Sequence, residues 1–111
     1  MATRLATHVW VGAYLTRLRL ADIPVFVVRK GDETAGAVII KLNTLDGQAR
    51  AFQREFNFEN DRRDWVILKE GAERDVDAAL SRQAGFDPDL WIIEVEDRQG
   101  RSLLDEPGLS D

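Results

Sequence analysis

Three short stretches of this chain are apolar at successive positions: Val25 through Val28, Val66 with Ile67, and Leu90 through Ile93. Neighbouring side chains on an extended strand point to opposite faces, so strands built from these stretches must be dried on both sides. Only two segments carry helical periodicity, and both are short. Two helices lying mainly on one side of the resulting sheet shelter less apolar surface than the sheet presents. Burial of such surface stabilises by about 25 cal/mol per Å². Two solutions are open: the sheet curls onto itself as a partial barrel, or its second face meets another chain.

The first helical segment is marked by Val11, Tyr14, Leu15 and Leu18, which recur at three- and four-residue spacing. It is expected to stop by Asp22, because Pro24 cannot continue a helix and pushes Ile23 out of the α region. Residues 5–9 are read as a short extended piece ahead of it. The second helix is predicted over 72–83, burying Val76, Ala79 and Leu80. Glu73, Asp75 and Asp77 come early in it and Arg82 late, the favourable order for the helix dipole. Gly85 is read as a left-handed cap, and Pro88 blocks continuation.

Strands are predicted at 25–29, 37–42, 48–56, 64–69 and 90–96. The first two flank a polar turn at 30–36 and read as a hairpin, and Asp46–Gly47 suits the turn into the third. On that third strand Arg50, Phe52, Arg54 and Phe56 share one face, and Ala49, Ala51 and Gln53 the other. The fold class expected is therefore α+β, a mainly antiparallel sheet of about five or six strands with two helices. One domain is expected over 1–103, followed by a flexible acidic tail over 104–111 that contains Pro107 and Gly108.

Composition removes several classes of function. An apolar content of 44% beside 32% charged residues argues against disorder. With no cysteine there is no disulfide framework, thiol nucleophile, iron–sulfur cluster or cysteine-bound zinc. No apolar run is long enough to span a bilayer, and Arg17 and Arg19 interrupt any signal-like block, so a cytoplasmic protein is expected, without membrane attachment. Residues 1–30 hold five basic groups against one acidic, whereas residues 61–111 hold seven against fourteen. The net charge of −5 makes nucleic acid an unfavourable partner.

Three sets of residues are candidates for function. Trp65, Trp91, Ile92 and Ile93 form the candidate interface, through which a homodimer or a protein partner would cover the second sheet face. Asp89, Glu94 and Glu96 are a candidate metal set, since Glu94 and Glu96 on one strand face stand roughly 6–7 Å apart. A divalent cation there would orient water for phosphodiester hydrolysis. The set departs from the restriction-nuclease pattern, because no lysine follows two residues after a paired acid, and Lys41 and Lys69 lie on other strands. Arg29, Arg50, Phe52 and Arg54 are a candidate nucleotide- or RNA-binding set, in which a cation beside an aromatic ring stacks a base. The single histidine, His8, reads as structural. The glycines at Gly31 and Gly36 do not match a phosphate-cradling loop, and no cofactor is implied.

The stretch from Phe86 through Arg98 (Phe-Asp-Pro-Asp-Leu-Trp-Ile-Ile-Glu-Val-Glu-Asp-Arg), with Gly100 and Arg101, resembles a closing motif of small alphaproteobacterial proteins classed as domain of unknown function 1491. Val27 to Asp32 with Ala35 to Ile39, Lys41 to Asn43 with Leu45 to Gly47, and Trp10 are similar to the same family. The resemblance implies a bacterial, intracellular, single-domain protein and carries over no catalytic residue. The reading is a small non-enzymatic protein acting through self-association or a protein partner. The alternatives are a metal-dependent phosphoesterase or nuclease and a small nucleotide-binding module.

Overall fold

The computed structural model describes residues 5–110. The elements run α1 (Thr7–Leu20), β1 (Val25–Arg29), β2 (Val38–Asn43), β3 (Gln48–Asn57), β4 (Arg62–Ala72), α2 (Glu73–Phe86) and β5 (Trp91–Glu96). The five strands form one open sheet in the order β1-β5-β2-β3-β4. All neighbours are antiparallel except β2 and β5, which run parallel. The α+β class and the mixed, mostly antiparallel sheet follow the expectation, but β1 and β4 are separate edges and no barrel closes.

The expected β1–β2 hairpin does not form. β5 inserts between these strands, pairing Val25 with Val95 on one side and Ile40 with Ile93 on the other. The loop at 30–37 makes room by passing over the start of β5. Its Asp32 amide donates to the Asp89 carbonyl (3.0 Å), Trp91 Nε1 donates to the Asp32 carbonyl (2.7 Å), and the Trp91 amide donates to Ala37 (2.8 Å). The same loop starts α1. Thr7 and His8 donate their amides to Thr34 and Glu33, and the His8 ring donates from Nδ1 to the Glu33 carbonyl (3.0 Å). Two orphan helix donors are thereby satisfied, which is why α1 begins at Thr7 and the expected extended piece at 5–9 is absent.

The helices lie on opposite faces of the sheet, not mainly on one. Along β2, Ile40 and Leu42 pack with Trp10, Val11, Tyr14 and Leu18 of α1, whereas Ile39 packs with Val76 and Leu80 of α2. Ile93 and Val95 of β5 join the first cluster and Ile92 the second. Two-sided apolar strands at the centre are thus dried inside one chain. The alternation read on β3 holds, with Ala49 and Ala51 on the α2 side and Phe52 on the α1 side. Gly85 lies within α2, whose last residue is Phe86 with Asp87 in extended conformation, so no left-handed glycine cap is used.

Residues 104–110, expected to be a loose tail, pack on the α1 face. Leu104 and Leu109 are buried in the first cluster, because Trp10 and Trp65 leave a recess there that leucine fills. The segment is launched by a tight turn. The buried Asp97 accepts the Arg101 amide (2.7 Å) and both Nε (3.0 Å) and Nη2 (3.1 Å) of its guanidinium. The hydrogen bond from Arg101 is the main cause holding the Asp97 carboxyl below its usual range, against the opposing effect of burial. A depressed folded value means this contribution is present above the ordinary carboxylate value and is lost as pH falls through the folded one. Asp97→Asn is expected to lower stability by about 2 kcal/mol at neutral pH. Urea melts of the two proteins should converge in acid; an equal gap at every pH would contradict the assignment.

Candidate functional site

Three carboxylates gather around one buried lysine where β2 and β5 end side by side. Lys41 points to the α2 face of β2 and is 4% exposed. Parallel register sets it opposite Glu94, and α2 supplies Glu73 and Asp77, one turn apart. Lys41 Nζ lies 2.7 Å from Glu73 Oε2, 2.7 Å from Asp77 Oδ1 and 3.1 Å from Glu94 Oε1. Asn43 Nδ2 donates to Glu73 Oε2 (3.0 Å) and Glu94 Oε2 (3.4 Å), and Asn43 Oδ1 accepts the Leu45 amide (2.8 Å). Burial alone lowers a lysine pKa, but the hydrogen bonds to Asp77, Glu73 and Glu94 outweigh it, so Lys41 is held above its usual range and stays charged. Lysine at an inward position of the apolar run Val38–Leu42 was the legible signal, since a fully buried lysine needs carboxylate partners. Which carboxylates answer it depends on the β2–β5 crossover.

This arrangement accounts for the candidate metal set. The Lys41 ammonium stands where a cation between Glu94 and the helix acids would stand. Asp89 lies before the start of β5 and Glu94 near its end, a separation of roughly 17 Å along an extended chain. Among the described residues no group of three or more histidines, aspartates and glutamates is placed to hold a metal ion. Asp89, Glu94 and Glu96 are therefore not brought together as a ligand set.

The candidate nucleotide set is also dispersed. Arg29 sits at the β1 edge and donates from Nε to Leu90 O and from Nη2 to Pro88 O, both at 3.1 Å. Arg50 reaches Glu70 across β3 and β4 (3.4 Å). Arg54 lies against the rings of Trp65 (4.7 Å to centroid) and Trp10 (5.8 Å) and donates to Leu109 O (2.7 Å) and Ser110 O (3.3 Å). Arg50, Phe52 and Arg54 do share one face of β3. Arg29 is three strands away from them, and Arg54 holds the chain's own backbone where a base would stack.

The four residues of the candidate interface are turned inward. Trp91, Ile92 and Ile93 are buried core side chains, and Trp65 is half-buried, partly covered by Trp10. The run of three consecutive exposed apolar residues is on the edge strand β1, where Phe26 is 52%, Val27 42% and Val28 60% exposed; β4 exposes Ile67 alone among its large apolar residues. α2 lies mainly over β3 and β4. The register skips Val28, leaving it as a bulge between Val27 and Arg29. Natural edge strands are commonly guarded by charge. β4, the opposite edge, carries Arg62, Arg63, Asp64, Lys69 and Glu70, whereas the one charge of β1, Arg29, is turned back onto the loop before β5.

These features define a small α+β protein whose mixed sheet is covered by one helix on each face, with an ion-paired lysine where its parallel strands end. The chain belongs to the DUF1491 family, described as "Protein of unknown function (DUF1491)", whose model matches residues 5–105. It is similar to a DUF1491 family protein from Caulobacter crescentus CB15, in a crystal structure (40% identity, 94% of this chain, 98% of that one, TM-score 0.85) and an NMR structure (39%, 96%, 97%, 0.81). It is also similar to the solution structure of protein Atu0922 from A. tumefaciens (26%, 85%, 86%, 0.71). No curated protein matches it. The resemblance read from the sequence is thus borne out. No helix among the described residues is long and apolar enough to cross a membrane.

Proposed function

We propose that this protein acts by self-association, two copies pairing their β1 strands antiparallel to continue one sheet across a twofold axis. The observation that carries the reading is an edge short of charge: three consecutive exposed apolar residues on a strand with no outer neighbour among the described residues. The outer amides and carbonyls of an edge strand seek another strand, and alternate side chains add apolar contact. A second copy is the occupant favoured by the difference between the edges. The charged β4 edge disfavours head-to-tail β1–β4 pairing, which would propagate as a fibre, whereas β1–β1 pairing closes after two copies.

Size-exclusion chromatography with light scattering tests this directly. A dimer with a dissociation constant below about 100 μM is expected, equivalent to roughly −5.5 kcal/mol. Val27→Lys places a charge in the centre of the pairing strand and is expected to give a monomer with an unchanged fold. A wild-type chain that remains monomeric at that concentration overturns the reading.

A further inference from the structure

One backbone carbonyl in this protein is recognised as a ligand would be. Leu109 O accepts from Trp10 Nε1 (3.2 Å), Trp65 Nε1 (3.3 Å) and Arg54 Nη2 (2.7 Å). The Leu109 side chain is 1% exposed, in the cluster that contains Trp10, Tyr14 and Trp65. Arg17 holds the residues just before it, donating from Nη1 to Glu106 Oε2 (3.1 Å) and from Nη2 to Pro107 O (3.1 Å). The segment is itself a formed turn. The Leu109 amide donates to Glu106 O (3.0 Å), with Pro107 second and Gly108 third at φ +86°. Proline followed by a positive-φ glycine is the type II pattern, so the bound shape is largely preset.

The receptor and its occupant are separable in sequence. Trp10, Arg17, Arg54 and Trp65 all lie within the family match at 5–105, whereas Pro107, Gly108 and Leu109 lie beyond it. We infer that Trp10, Arg17, Arg54 and Trp65 form a peptide-recognition site for a Glu-Pro-Gly-Leu turn, filled here in cis by residues 106–109. The ligand class is a peptide with an acidic residue three positions before a leucine, the two joined by a Pro-Gly bend. The Arg17 guanidinium reads the carboxylate and the bend, two indoles and the Arg54 guanidinium read one carbonyl, and the aromatic recess reads the leucine. A separate peptide must displace the tethered copy, whose effective concentration through a short linker is in the millimolar range.

The test uses the full chain with Leu109→Asp, which empties the recess, and an acetylated synthetic peptide of residues 103–110. The three indole N–H signals are followed by ¹⁵N–¹H NMR, with Trp91, bonded to Asp32, as internal reference. Leu109→Asp is expected to shift the Trp10 and Trp65 signals and leave Trp91 in place. Peptide at about 1 mM, the weak end of recognition, should return both signals toward their wild-type positions. A control peptide with aspartate at the leucine position should do nothing. Leu109→Ala serves the same test if the aspartate variant does not fold. Unmoved indole signals, no return with peptide, or an equal return with the control overturns the inference.

Discussion

Replacing Lys41 by methionine is expected to lower the unfolding free energy by about 3 kcal/mol at neutral pH, or roughly 15 °C in Tm. Methionine keeps the apolar stem and removes only the charge. Glu94, with its side chain 20% exposed, is then left beside Glu73 and Asp77 without the ammonium that draws the three together. Loss of one partner from a buried ion pair costs about 3–5 kcal/mol. The lower end applies here because Glu73 and Asp77 are accessible enough to turn toward water. The pH dependence follows from the raised value of Lys41. A base whose folded pKa lies above its ordinary 10.5 contributes in full below that point and loses the contribution only as pH rises through the folded value. The gap between wild type and Lys41→Met in urea denaturation should therefore be equal at pH 7 and at about pH 9. A variant as stable as wild type would show that Lys41 does not hold the cluster.

A comparable loss, about 3 kcal/mol or more, is expected from Gly31→Ala. A Cβ at Gly31 would overlap the Asp89 carbonyl oxygen and come within 2.7 Å of Leu90 C and Trp91 Cδ1. The obstacle is backbone and a core ring, which have nowhere to move because the loop crosses the start of β5 at this point. The matched control is Gly12→Ala. An added Cβ meets nothing within 4 Å there, and alanine in place of a glycine within a helix stabilises by roughly 1 kcal/mol. Opposite signs in the two denaturation midpoints are expected. A small effect at Gly31 would mean that the loop does not lie against β5.

Both experiments probe features whose residues were visible and whose contacts were not. Val38 to Leu42 announces a buried strand and a buried lysine within it, but nothing local says that β5 will be its parallel neighbour. The glycine of the loop was legible as a turn residue, while its tight approach to Asp89 joins positions 58 apart in the chain. The apolar edge followed the same course. Val25 to Val28 read as too greasy for one covered face, yet Trp65 and Trp91 read as the interface, and Trp91 is buried while Trp65 is half-buried.

The order of residues alone determined the elements and which side chains of each share a face. Periodicity, proline placement and helix-end charge act over one or two turns; they located both helices and all five strands, but also read an extended piece at 5–9 where α1 begins. Tertiary structure decided strand order, the placement of one helix on each face and the docking of Leu109, together with the edge left bare. Each of these depends on contacts between distant segments, whose free energy is set by how much apolar surface the whole chain can cover at once.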